Sequence, residues 1–358
     1  IEDAARRDFT VNAMYYDPTT QLMVDYHAGL ADARAKVLRM IGDPATRYRE
    51  DPVRIVRVVR FAAKLGFELE PGTRKPVREM AALLANVPTS RLFDEMIKLL
   101  QTGHALRSID ELRKQGLDRG NFPVLDAVLH PDRPHPLRQR FVELALRDTD
   151  TRVSEGRAVA PSFMLACMLW HDVQGRWQTL RDAGEPPFPA LQQAIDAVFD
   201  ARIGDISGRG KLAADMREIW LMQPRFERRT ASSAQSLASQ ARFRAGYDFL
   251  RLRADVGEVD VDLADWWEDY HLGSDEEREA LVQALRATQG GKRAATPRRG
   301  AEAPVPDHAE GDDGSPGETG TEADGEVDSA ESGEAAQPAK RRRRRRRKPA
   351  VAAPATDT

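Results

Sequence analysis

The stretch Tyr48–Phe67 (YREDPVRIVRVVRFAAKLGF) constrains this chain most. It reads as one helix. Asp51 is placed to cap it, and Pro52 suits the first helical position, where a missing N–H costs nothing. Gly66 is a stop signal. Val53, Val56, Val59 and Ala63 recur at helical spacing and give an apolar stripe. Arg54, Arg57 and Arg60 lie three apart and climb a neighbouring face with Asp51. On such a face a carboxylate can accept from the amino group of a nucleobase while a guanidinium donates to its ring nitrogen. The pair would imitate a template base. Arg57 and Arg60 would then lie along a triphosphate. The plainer alternative is a helix whose arginines are solvated or salt-bridged.

Other segments accompany it. Arg6-Arg7-Asp8-Phe9-Thr10-Val11-Asn12-Ala13-Met14 lies near the start, followed by Asp25, Gly29 and Asp32 and then Arg39-Met40-Ile41-Gly42-Asp43-Pro44. In this order and spacing they resemble the nucleotidyltransferase superfamily of CCA-adding enzymes and bacterial poly(A) polymerases. Pro88-Thr89-Ser90-Arg91-Leu92-Phe93-Asp94-Glu95, with Lys98-Leu99-Leu100-Gln101-Thr102-Gly103, looks more like the poly(A) polymerases, as does the Arg-rich tail. The motifs cover residues 1–103, and a weaker likeness runs to about 270.

The resemblance implies template-independent addition of AMP from ATP to RNA 3′ ends, as part of mRNA processing and decay in the cytoplasm. CCA addition to tRNA and non-catalytic RNA binding are the alternatives. It implies that Asp8 is an active-site carboxylate, and that Arg7, Asn12, Asp51, Arg54, Arg57 and Arg60 contact the nucleotide. Asp25, Gly29 and Asp32 would match a hinge, although Asp32 reads equally as a solvated helix residue. Mg²⁺ would serve the chemistry, held mostly by an Asp-x-Asp segment that nothing here matches. The expectation is therefore a chain truncated at its N-terminus, inactive as a fragment, with no metal ligand set of its own.

The expected fold is mainly α. A remnant of an α/β head spans 1–45, with a hairpin about Asp17-Pro18-Thr19-Thr20 and an edge strand at Val37–Ile41. A helical neck follows over 46–120, a helical RNA-binding body over 121–289 and a disordered tail over 290–358. In the neck, Glu68–Thr73 reads as a turn, Lys75–Leu84 as a helix and Ser90 as the cap of the next, with Gly116 closing a further one. Asn121–Pro136 reads as a Pro- and His-rich loop. His130 and His135 lack further ligands at metal spacing. Phe163–Trp170 is apolar nearly all round and reads as a buried helix ended by His171-Asp172.

One cysteine, Cys167, excludes an internal disulfide, and no stretch is long and apolar enough for a membrane span. Arg228, Arg229 and Arg242 are candidate RNA contacts, while the aromatics among them (Phe226, Phe243, Tyr247, Phe249) suit the core better. The net charge of -3 hides an asymmetry. The acidic run 301–337 has no Lys or Arg, and is followed by the block Lys340, Arg341, Arg342, Arg343, Arg344, Arg345, Arg346, Arg347 and Lys348. Such a polycation suits RNA, with salt-sensitive affinity. RNA 3′ ends, ATP and RNA-decay machinery are the expected partners.

Overall fold

Helices dominate because apolar residues recur at helical spacing along most of the chain. The computed structural model describes residues 1–203, 210–229 and 233–294, with no account of the side chains of 288–294. The Arg-rich block lies outside these residues.

The first part is small and mixed. Helix α1 (Glu2–Arg6) precedes the hairpin of β1 (Met14–Asp17) and β2 (Leu22–Asp25), paired antiparallel with Met14 opposite Asp25. Helix α2 (Gly29–Ala35) follows, then β3 (Val37–Leu38). Asp25 accepts from the backbone N–H of His27, Gly29 and Leu30 and so caps α2. The bond from Leu30 is the main reason its carboxyl titrates below the usual range. Asp32 is buried, not solvated. It accepts from the Thr10 hydroxyl at 2.7 Å and from Arg39. Gly29 sits where a Cβ would lie 2.2 Å from the Thr10 carbonyl oxygen. Gly29→Ala should therefore push α2 away from the Asp8–Asn12 segment and cost about 2 kcal/mol or more. A thermal-unfolding midpoint matching wild type would refute this.

Next come α3 (Pro44–Glu50), α4 (Val53–Leu65), β4 (Glu68–Leu69), α5 (Pro71–Glu79), α6 (Thr89–Leu100) and α7 (Ala105–Gln115). Tyr48–Phe67 is thus not one helix. The chain extends at Asp51, and α4 begins at Val53 with Pro52 as its N-cap residue. The Asp51 carboxylate does not cap α4, because its Oδ2 turns to Arg91. The core stripe is as expected, with Val53, Val56, Val59 and Ala63 buried, and Gly66 ends α4 at φ +67°. Glu68–Thr73 is not a simple turn, since β4 pairs parallel with β3 and α5 starts at Pro71. That helix stops at Glu79, and a 3₁₀ segment continues over Ala81–Asn86. Ser90 lies inside α6, whose N-cap position is Pro88.

The body holds α8 (Pro123–Leu129), α9 (Arg138–Ser154), α10 (Pro161–Asp182), α11 (Pro187–Val198), α12 (Gly210–Arg228), α13 (Ala234–Ala238), α14 (Phe243–Asp255), α15 (Val261–Leu272) and α16 (Asp275–Ala294). Helix α8 falls within the stretch read as a loop, with Pro123 at its first turn and Val124, Leu125 and Ala127 buried. Helix α10 is central. Its residues from Met164 to His171 are all buried, Cys167 included. It does not end at His171-Asp172 but runs on to Asp182. Phe226, Phe243, Tyr247, Trp267 and Tyr270 form a second core with α12, α14 and α15. The last helix passes Gly290, where the composition change placed the start of the tail. Among the described residues no helix is long and apolar enough to cross a membrane.

Candidate active site

The Arg7–Asn12 segment meets α4 at one carboxylate. Asp8 is only 5% exposed. Its Oδ1 accepts from Arg54 Nε at 3.0 Å. Its Oδ2 lies 2.7 Å from Arg57 Nη2, close as a charge contact but not aligned as a hydrogen bond. The loop is held by backbone bonds. Ile41 N–H donates to the Asp8 carbonyl, Thr10 N–H donates to the Arg39 carbonyl, and the Asn12 side chain accepts from Phe9 N–H. Phe9 is fully buried against Phe61 of α4, with ring centroids 5.3 Å apart.

The four polar groups of the face divide rather than act together. Arg54 Nη1 also donates to the Arg47 carbonyl and to Glu50, so only Nη2 takes part in none of these bonds. Asp51 is drawn the other way, to Arg91 at 3.0 Å on α6. Its Oδ1 is buried without a partner, as is Arg57 Nε. Arg60 belongs to a third group, in which Glu95 of α6 binds both Arg60 and Lys98. Arg60 also lies over the Phe61 ring. Arg7 points outward and pairs with Asp3, which accepts from Tyr15 as well. Asn12 is occupied with the Phe9 turn. Asp51 and Arg54 are thus not joined here as an acceptor–donor pair. The structure brings together Asp8, Arg54 and Arg57, leaves Asp51 beside them at the start of α4, and places Arg7 and Arg60 in separate ion pairs.

Sequence reasoning missed Glu50, Arg91 and Glu95. The i,i+4 spacing of Glu50 to Arg54 and the i,i+3 spacing of Glu95 to Lys98 were the local signals, and no local spacing pointed to the Arg91–Asp51 pair. The expected RNA contacts of the body are also engaged. Arg242 pairs with Asp215 at 2.6 Å, Arg228 Nε donates to the Pro224 carbonyl, and Arg229 lies over Trp266. His130 meets Asp118, and His135 stacks on His171.

The resemblance read from the sequence implies a divalent metal. Among the described residues no three His, Cys, Asp or Glu side chains gather as ligands. Both Asp8 oxygens face guanidinium groups. These residues do not fit a metal, and no step below is routed through one.

A small mixed head precedes a helical neck and body, with an Asp–Arg cluster beside α4, and the relatives below make this the architecture of a nucleotidyltransferase chain. The fold matches a solved "tRNA-processing enzyme (apo form 2)" at TM-score 0.50 and 20% identity, over 79% of this chain and 75% of that one. Three family models match in order: "Poly A polymerase head domain" over 1–39, "Probable RNA and SrmB- binding site of polymerase A" over 66–129, and "Polymerase A arginine-rich C-terminus" over 183–300. Poly(A) polymerase I of Haemophilus influenzae is 39% identical over 284 residues, which is 79% of this chain and 63% of that protein. A CCA-adding enzyme of Bacillus licheniformis is 42% identical over 125 residues, or 35% of this chain and 31% of that enzyme. The chain belongs to the bacterial poly(A) polymerase family. It spans less than two thirds of the length of that poly(A) polymerase I.

Proposed function

We propose that this chain is the base-selecting and RNA-holding portion of a template-independent polynucleotide adenylyltransferase, which adds AMP from ATP to RNA 3′ ends. The reading rests on the Asp8–Arg54–Arg57 cluster, in a chain so similar to a poly(A) polymerase I. The RNA 3′-hydroxyl attacks the α-phosphate of ATP and pyrophosphate leaves. Arg57, one-third exposed at its side chain, turns from Asp8 to the phosphates, whose charge exceeds that of one carboxylate. Asp51 Oδ1 accepts from the base amino group, and Arg54 Nη2 donates to the ring nitrogen. Arg7 and Asn12 steady sugar and phosphate, and Arg60 extends the cationic face. The activity belongs to cytoplasmic mRNA processing and decay. We propose the division into head, neck, body and tail at 45, 120 and 289, the last boundary moved to the end of α16 at 294, with the Lys340–Lys348 block as a further RNA contact.

The full-length gene product, given ATP and CTP with an mRNA fragment or a tRNA lacking its 3′ end, provides the test. AMP addition to both RNAs supports the reading. The stretch shared with the CCA-adding enzyme favours a second reading, which ordered CTP then ATP use on tRNA alone would establish. No incorporation, with RNA still bound, leaves a non-catalytic RNA-binding protein. In the same assay Arg54→Ala should lower the preference for ATP over the other nucleotides about tenfold, the value of one good hydrogen bond to a charged group. An unchanged preference would dispose of the base-mimic role.

A further inference from the structure

The arginines named above are mostly paired with carboxylates, but in one cationic concavity, among the described residues, only Lys114 has a carboxylate partner. The concavity has a volume of about 480 Å³ and lies between α5 and the end of α7. Arg74, Lys75 and Arg78 line it from α5 and Lys114 from α7, above Leu69 and Pro71. All four cations are exposed, and among the described residues no carboxylate lines the concavity. Glu111, one turn back on α7, pairs with Lys114 at 3.3 Å and accepts from Gln115 Nε2, which leaves Arg74, Lys75 and Arg78 as the cations on which the site depends. Arg74 and Arg78 are like charges at i,i+4, an arrangement that mildly destabilises a helix with no anion present. Gly116 ends α7 at φ +71°, and the Arg78 guanidinium lies against this turn, which brings α5 and the end of α7 to one surface. A second pocket, lined by Arg133, Arg138 and Arg176, also has Asp132 and Asp172 in its lining, and Asp172 pairs with Arg138 there.

We propose that Arg74, Lys75, Arg78 and Lys114 form a phosphate grip for single-stranded RNA. This rests on the reading that the chain holds RNA. All four residues lie within the span 66–129 that matches a model named for RNA binding, and the proposal narrows that span to one face and four side chains. Two guanidinium forks and two ammonium groups suit successive phosphates. Leu69 and Pro71 are too little apolar surface for the core of an interface with a folded acidic protein. The grip is firmly referenced to the Asp8 cluster. Fully buried Thr73, one residue before Arg74, accepts from Met40 N–H at its hydroxyl and from the Tyr48 hydroxyl at its carbonyl. Neighbouring Ile41 donates to the Asp8 carbonyl. A strand held at α5 is thereby held at a fixed distance from Asp8.

The test uses the whole chain and a fluorescent single-stranded oligo(A), with anisotropy between about 50 and 200 mM KCl. The variant Arg74→Glu/Lys75→Glu/Arg78→Glu should bind at least about tenfold more weakly at the low end. Its log–log salt slope should be shallower by about 2, at roughly 0.7 for each phosphate no longer neutralised. The Gln triple variant should show the same trend, and matching circular dichroism spectra certify folding. A control with equal charge change, Arg34→Glu/Arg119→Glu/Arg147→Glu, should keep most of the affinity. An equal loss in that control overturns the grip, because net charge alone would then explain the effect. Wild-type slope and affinity in both patch variants also overturn it, and leave an acidic protein as the occupant. Failure of wild type to bind RNA at all would instead remove the functional reading beneath it.

Discussion

Asp8→Ala should lower the stability of this chain by about 3 kcal/mol, the low end for breaking a buried ion pair. The substitution strips two guanidinium groups of one carboxylate. Arg54 is 13% exposed at its side chain and cannot turn fully to water, whereas Arg57 at 33% partly can. The cost should be shared rather than additive. Once Arg54 is also Ala, one stranded charge is gone, so Asp8→Ala/Arg54→Ala should cost less than the two single changes together by about 2 kcal/mol. Urea unfolding followed by circular dichroism measures all three. Additivity within about 0.5 kcal/mol would mean that the contact at 3.0 Å contributes nothing. The outcome matters for function because Asp8 is the side chain that joins the Arg6–Met14 segment to the arginines of α4.

What could be read from the chain, and what could not, divides by range. The α4 core stripe, the stops at Gly66 and Gly116 and the burial of Phe226, Phe243, Tyr247 and Phe249 all follow from local spacing and appear as expected. Strand β4 is two residues long and exists only because β3 lies beside it, so no local pattern announces it. His171-Asp172 looks like a helix end because polar residues follow an apolar run. In the fold Arg138 and Arg202 bind Asp172, Glu258 lies beside His171, and the helix continues. The ion pairs of α4 are harder still. Arg54 meets a carboxylate 46 positions away, Arg60 one 35 away, and Asp51 an arginine 40 away. Periodicity shows that a face is charged. Only tertiary structure assigns its partners, and that is why the four groups divide.

Replacing Glu258 should show how the body is tied together. Glu258 follows Gly257, at φ +80° after α14, and reaches back to the central helix. Its Oε1 accepts from Trp170 Nε1 at 2.8 Å, Gln174 Nε2 at 2.9 Å and Arg253 Nε at 2.8 Å. Its Oε2 lies 3.4 Å from His171 Nε2. Arg253 in turn reaches Gln223 and Glu227 of α12, so one carboxylate joins α10, α12 and α14. Burial alone would raise its pKa, but His171, Arg253 and Trp170 outweigh burial and hold it at about 2, against an ordinary 4.5. A depressed carboxyl stabilises the fold fully above its unfolded value, and the benefit fades as pH falls toward the folded one. The two values correspond to about 3 kcal/mol at neutral pH. Glu258→Gln, which cannot ionise, should therefore be less stable than wild type by about that much at pH 7. The gap should shrink to roughly half by pH 3. Urea unfolding of both proteins at each pH gives the difference directly, and carboxylates elsewhere cancel in the comparison. A gap constant from pH 7 to pH 3 would mean that Glu258 contributes by shape and hydrogen bonding, and not by its charge.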